Sequence, residues 1–430
     1  MRRSCSIRPG RSRSSWRRRE VHGAACSNNG RQNLRVGFYS NHLCERGSEV
    51  ALYDYADYAE RLLGVTAFVL YDAASPQNVA QVERKFRARF GSRVVPVASL
   101  QHIAGALESR SIAHCYIIKF GHRDEPAMRW FGATRTCVHC VFDATDPHGD
   151  VYARVSPCVP ALPPPHGATR VVPHIVVLPT ADEMIGPDLR DELGIPADAT
   201  VFGRHGGWDT FDIPAARAAV LSVARKRSDI FFVLMNTKPL SLEAASGRRA
   251  PRNILYLELS TDAERKAAFI RSCDAMLHAR LTGETFGLAI AEFSVYNKPV
   301  LTSRVHHECG SARFHLDTLG SCGLYYHDQA SCERLLLSFD RRKAAREDWN
   351  AYRAFAPAAV MAAFEATFLA GPRGGPGELR GARAVVPTPP TPAAVMSSPF
   401  PCHEAFGRRE GIRARLKNPL AGRSSSQYAQ

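Results

Sequence analysis

The chain has 430 residues, which suits two or three domains, and 45% of them are hydrophobic, ample for buried cores. The net charge of +15 invites a nucleic-acid reading, yet it sits in the ends: residues 1–33 hold nine arginines against Glu20, and residues 371–430 hold nine basic against three acidic residues, leaving residues 34–370 close to neutral. The longest unbroken apolar run, residues 358–364, has seven residues, well short of the ~18–20 needed to cross a bilayer.

Twelve scattered cysteines and no secretory signal read as reduced thiols in a cytoplasmic compartment. The Arg/Ser-rich residues 1–33 read as a disordered tail, with an organellar transit peptide as the second reading. Residues 35–39 are a first strand. A loop follows, and Gly47-Ser48 opens a long helix to Leu63, with Ser48 as its cap and Glu49 in its first turn. Gly47 before a helix start could present backbone to a phosphate or an acceptor, and it equally suits a plain strand-to-helix turn. Strands and helices then alternate: strand 66–71, helix 76–90, strand 94–97, helix 100–109, strands 115–118 and 137–142. Such alternation means a parallel sheet covered by helices, with ligands at the carboxyl ends of its strands.

Cys137-x-x-Cys140 lies in a strand, where positions three apart face opposite sides. No second Cys-x-x-Cys accompanies it, so buried thiols are expected rather than zinc or redox chemistry. His139 and, more weakly, His148 are candidates near the same sheet edge. Residues 156–170 are proline-rich, and 171–179 read as a strand leading to a second domain. That domain opens with a short helix at 188–193 and a strand at 199–203. The strand ends in Arg204-His-Gly206-Gly207, where bare backbone N–H groups and a guanidinium suit a diphosphate. Strands at 230–235 and 253–257 follow, then a helix at 261–271 with Thr261 and Glu264 as a capping box. Later come a strand at 300–303, the loop residues His306 and His307, a strand at 324–326, and helices at 329–342 and 348–368, the last expected to kink at Pro357. Residues 371–430, rich in Pro, Gly and Arg, read as disordered.

The organising stretch is residues 278–300. It joins two short apolar runs that read as buried parallel strands, and Phe286, Ile290 and Phe293 fall at i, i+4 and i+7, one face of a helix. Gly283 and Gly287 allow a sharp turn into that helix and leave N–H groups bare for an anion. If both lie on it, Glu284 and Glu292 stand about 12 Å apart along the axis and about 80° apart around it. Two acids flanking a helix start suit a ligand with hydroxyls at both ends and phosphate between them, such as a nucleotide-sugar. A surface helix with two solvated glutamates is the plain alternative.

Glu284 and Glu292, with Phe286-Gly287-Leu288 between them and residues 297–300 after them, resemble the E-x7-E signature of retaining glycosyltransferases. The similarity is to the family-4-like group with a "glycosyl transferases group 1" domain and covers roughly residues 34–370. It implies an α/β fold of two Rossmann-like domains facing across a cleft, called GT-B. Residues 34–178 would be the acceptor domain and 179–370 the donor domain, between tails 1–33 and 371–430. It implies an enzyme moving a sugar from a UDP-, GDP- or ADP-linked donor to a glycan, lipid or protein acceptor, with retention, no metal and no cofactor. Glu292 would hold the ribose, while Thr285, Phe286, Gly287 and Leu288, with Arg204, Gly206 and Gly207, would hold the diphosphate. Glu284 and His139 would be the catalytic pair at the donor sugar, and Gly47 would serve the acceptor side. In that family a lysine follows the arginine by about five residues; here position 209 is Asp, no lysine follows until Lys226, and Lys238 after the strand 230–235 could supply the contact.

Two other classes remain open. One is a sugar-nucleotide epimerase or a glycosidase, although about 12 Å along a helix fits poorly with the ~5–9.5 Å of a glycosidase carboxyl pair. The other is an inactive Rossmann pair whose basic tails bind RNA or an anionic surface.

Overall fold

A computed structural model describes residues 34–98, 102–121, 134–163, 170–179, 189–240, 251–305 and 312–370. They form two parallel sheets. The first contains β1 (Arg35–Ser40), β2 (Thr66–Asp72), β3 (Val94–Val97), β4 (His114–Lys119), β5 (Arg135–Cys140), β6 (Val151–Arg154) and β7 (Arg170–Val171), in the order β3-β2-β1-β4-β5-β6-β7. The second contains β8 (Thr200–Arg204), β9 (Ile230–Met235), β10 (Ile254–Leu257), β11 (Ala275–Leu277), β12 (Val300–Ser303) and β13 (Gly323–Tyr326), in the order β10-β9-β8-β11-β12-β13. The central strands are buried almost without interruption, as unbroken apolar runs in a parallel sheet should be.

Helices cover both sheets. They are α1 (Gly47–Leu63), α2 (Ala80–Phe90), α3 (Ile103–Glu108), α4 (Leu189–Glu192), α5 (Pro214–Lys226), α6 (Ala263–Ser272), α7 (Leu288–Val295), α8 (Phe314–Leu319), α9 (Gln329–Ser338), α10 (Arg341–Ala344) and α11 (Pro357–Phe364). Each sheet reverses its strand order once, between β1 and β4 and between β8 and β11. A crevice opens at such a reversal because the crossovers on its two sides leave to opposite faces. Loops after β1, β8 and β11 therefore sit where a ligand would bind.

Several boundaries differ from expectation for identifiable reasons. The run 171–179 supplies only one strand residue, Val171, the last of β7. Beyond it Val172 donates to Arg154 O at 3.0 Å and Val176 to Phe355 O at 3.0 Å, and prolines 173 and 179 have no N–H to continue a ladder. Ser48 does not cap α1; its hydroxyl donates to Glu49, and the helix begins one residue earlier at Gly47. Asp262, not Thr261, caps α6, its carboxylate accepting from Glu264 N at 2.9 Å. Pro357 does not kink a helix. It starts α11, where its fixed φ and missing N–H cost nothing.

After α11 a π-helical turn, Glu365–Leu369, returns the chain to the first sheet. There Phe364 packs 5.2 Å from the rings of both Tyr55 and Tyr116, and the Phe368 and Ala366 carbonyls accept from Cys137 at 3.4 Å and Arg170 at 2.8 Å. Cys137 and Cys140 are both fully buried, and burial pushes each thiol up to about 12, as suits packing rather than chemistry. No helix among the described residues is long and apolar enough to cross a membrane. Residues 1–33 and 371–430, and His306 and His307, lie outside the described residues.

Candidate functional site

The stretch 278–300 forms the wall of the second sheet's crevice. α7 begins at Leu288, later than its spacing suggests, so Glu284 and Phe286 precede the helix and only Glu292 lies on it. The 12 Å helical separation therefore does not apply. Glu284 instead pairs with the backbone of 312–314: its N–H donates to Ala312 O at 2.6 Å and its carbonyl accepts from Phe314 N at 3.0 Å. Gly287 caps α7 with φ 84°, and a Cβ there would lie 3.2 Å from the Glu284 Cβ. Glycine avoids both the left-handed strain and the crowding. Phe286 anchors the turn among the rings of His174, Phe314, Tyr352 and Phe355, 5.1–5.7 Å away, and its carbonyl accepts from the Tyr352 hydroxyl at 2.9 Å. Thr285 is buried, and its carbonyl meets the Cys158 thiol of the first half at 3.6 Å.

The two carboxylates sit in separate nests, each of one cationic side chain and one histidine. Glu284 accepts from Arg280 at 2.9 Å and lies 3.4 Å from His278 Nε2, whose Nδ1 meets Thr302 Oγ1 at 2.8 Å. Burial pushes the Glu284 carboxyl up, but Arg280, His278 and His315 together outweigh it and hold the group at about 2. Glu292 is bonded by Lys266, and its other oxygen is 3.0 Å from His205 Nε2. Burial again opposes ionisation, and Lys266 and His205 prevail to hold this carboxyl at about 2. Both groups are thus fixed as anions at neutral pH. From the first half, Lys85 on α2 and Asp54 on α1 lie close enough to feel the charges of Lys266 and Glu292.

Arg204 is the last residue of β8 and is nearly fully buried. Its guanidinium donates to Asn236 O at 2.9 Å, Thr237 Oγ1 at 2.6 Å, Gly207 O at 2.8 Å and Thr210 Oγ1 at 2.7 Å. Burial lowers it to about 10, so it stays charged at neutral pH. In this structure its fork shapes the loop 205–210. Gly206, with φ 148°, bonds through its carbonyl to Asn236 Nδ2 at 2.8 Å, and Gly207 is exposed. Asp209 stands where the resemblance implies a second cation. Lys238 meets this loop only by its backbone N–H, 2.8 Å from Trp208 O.

Gly47, exposed at the start of α1, faces the start of α7: a Cβ on it would lie 3.6 Å from Leu288 Cδ1. Two helix N-termini, one from each sheet's crevice, therefore converge. In the loop before α1 and the first turn of α1, His42, the Sγ of Cys44 and the carboxylate of Glu49 form a compact group of metal-capable donors. His139 lies elsewhere. It is fully buried, 2.7 Å from the Tyr116 hydroxyl, among the rings of Tyr55, His174 and Phe368, and burial lowers it to about 4. His148 is also buried, its Nδ1 2.6 Å from Asp146 O.

Arg280, His278, His205 and Lys266 were not singled out from the sequence. Arg280 and His278 stand inside the organising stretch, four and six residues before Glu284, so a search for nitrogen donors around the first acid would have found them. Lys266 carries no local signal, because only the packing of α6 beside α7 brings it to Glu292.

No protein-family profile and no curated protein sequence matches the chain. Solved structures do. Alr3699/HepE from Anabaena in complex with UDP-glucose is similar with a TM-score of 0.56 at 13% identity, covering 77% of this chain and 99% of that one. The same protein in complex with UDP and glucose is similar at 0.55 and 14%, covering 78% and 99%. Trehalose-6-phosphate synthase OtsA is similar at 0.51 and 10%, covering 78% and 99%. The chain has the GT-B fold.

Proposed function

We propose that this GT-B chain is a nucleotide-sugar-dependent glycosyltransferase whose donor lies against the second sheet. The observation that carries the reading is the pair of ionised carboxylates, Glu284 and Glu292, flanking the glycine-capped start of α7 in the crevice of a GT-B fold. Complexes of the structural neighbour HepE with UDP-glucose and with UDP and glucose point to the same ligand class.

Each group then has a chemical task. Glu292 accepts hydrogen bonds from the two ribose hydroxyls, and Lys266 and His205 keep it ionised so that it remains a pure acceptor. The first N–H groups of α7, at Leu288 and Ala289, have no partner within the helix and point at the diphosphate. They stabilise the negative charge that grows on the leaving diphosphate, with the loop at Gly206 and Gly207 as a second set of N–H donors. Arg204 serves by holding that loop in shape. Glu284 orients hydroxyls of the donor sugar near the anomeric carbon. The acceptor enters from the first sheet, past Gly47. The dipoles of α7 and its cationic surroundings do the work a metal does elsewhere, and front-face displacement with retention fits a site in which no nucleophile stands out. His139 supports the first sheet from within, as a buried positioning residue rather than a group touching substrate.

The test is turnover. The protein is incubated with UDP-, GDP- and ADP-sugars, and nucleoside diphosphate release is followed with and without mixed glycan and lipid acceptors. The reading expects release from one nucleotide series, lost in Glu284→Gln and retained in EDTA. Release from none of them by a folded protein would refute it.

A further inference from the structure

We propose that the loop between β1 and α1, with the first turn of α1, is a metal site of the zinc class, formed by His42, Cys44 and Glu49, with a fourth position left for water. Two of the side chains come from the loop after β1 and the third from the first turn of α1, at the reversal point of the first sheet, and their donor atoms all lie within 4.8 Å of one another. Glu49 sits between the other two, with Oε2 3.3 Å from Cys44 Sγ and Oε1 3.9 Å from His42 Nε2. Zinc bonds of ~2.0–2.3 Å in a tetrahedron put neighbouring donors ~3.3–3.8 Å apart, so the 3.3 Å between Cys44 and Glu49 matches an edge of such a site, and the 3.9 Å between His42 and Glu49 is longer than one. His42 is partly exposed, so its ring is free of the core packing that holds Cys44 and Glu49, and the metal would draw it in on both its edges.

The surroundings of Glu49 point the same way. The hydroxyls of Ser40 and Ser48 donate to its two oxygens at 3.0 and 2.9 Å, and they fix the carboxylate as outer hydrogen bonds fix the ligands of a metal. Glu49 is 3% exposed although it opens a helix. Without metal the Cys44 thiol donates a hydrogen bond to Glu49 Oε2 at 3.3 Å. A cation would replace that proton: Cys44 gives up one H⁺ to solvent, its sulfur bonds the ion, and neutral His42 bonds through Nε2. One nitrogen, one sulfur and one oxygen donor suit zinc or cobalt and not magnesium or calcium, which want oxygen alone. A plain hydrogen-bonded anchor for the loop is the competing account. The proposal is independent of the donor reading, because the group lies on the first sheet and none of its members is assigned to the nucleotide-sugar.

The full chain is stripped with chelator, dialysed and titrated with Co²⁺ under reducing conditions, then back-titrated with Zn²⁺. The proposal expects one equivalent of ion with thiolate-to-cobalt charge-transfer absorption, displaced by Zn²⁺. It expects that absorption to vanish in Cys44→Ser and the affinity to fall at least about tenfold in His42→Ala, a partly exposed position whose change should leave the circular dichroism intact. Absence of the absorption, or its survival in Cys44→Ser, would overturn the proposal and leave the three residues as a loop anchor.

Discussion

Replacing Glu292 by glutamine isolates the charge of the second carboxylate with little change in shape. Glu292 is 5% exposed and is held at about 2 against an ordinary value of 4.5. That difference corresponds to about 3 kcal/mol of interaction favouring the ionised folded form. The sign follows from the direction. A carboxyl lowered in the folded state adds stability that is complete above about pH 4.5 and is lost as pH falls towards 2. Glu292→Gln removes it and leaves Lys266 and His205 facing a neutral amide. Urea unfolding at pH 7 should therefore show a loss of about 3 kcal/mol, a sizeable share of a typical domain's stability. The gap between wild type and variant should narrow as the measurement is repeated at lower pH. A loss at pH 7 below about 1 kcal/mol, or a gap that does not change with pH, would refute the argument that Lys266 and His205 hold Glu292 ionised.

Three further substitutions probe the site's framework. Gly287→Ala forces a side chain into the left-handed region and against Glu284, and should cost about 1–2 kcal/mol in thermal unfolding while weakening nucleotide binding further than that loss explains. Phe286→Ala empties the aromatic nest under the turn and should cost about 3–5 kcal/mol by urea denaturation. Arg204→Lys keeps the charge but cannot span the carbonyls of Asn236 and Gly207 together with two threonine hydroxyls. It should cost at least about 2 kcal/mol and raise hydrogen exchange in the loop 205–210.

The fold was legible because parallel strands buried on both faces leave unbroken apolar runs, and residues 230–235 and 300–303 show this plainly. The stretch around Gly287 was legible because a glycine-rich turn into a helix is a local feature. Where the helix began was not. Phe286 keeps the i, i+4, i+7 spacing, yet its neighbour Glu284 is drawn into pairing with residues 312–314, a contact across 28 residues that no local pattern records. The same limit applies to Lys266 and Glu292. Each lies on its own helix, and only the order of β8, β11 and their crossovers sets those helices side by side. His139 shows the converse. A histidine on a late strand of the first sheet fits a family pattern, but its surroundings are set by Tyr116 on β4 and by Phe368 in the π-helical turn after α11, distant in sequence.

Calorimetric titration of UDP, GDP and ADP into the wild-type protein and Glu292→Gln, each with and without EDTA, tests the central claim most directly. The account predicts one nucleotide binding at a single site, unaffected by EDTA. It predicts binding about 100-fold weaker in the variant, the loss of about 3 kcal/mol expected when ribose hydroxyls bond an amide in place of a carboxylate. Failure of all three to bind the folded wild-type protein, or equal binding by the variant, would contradict it.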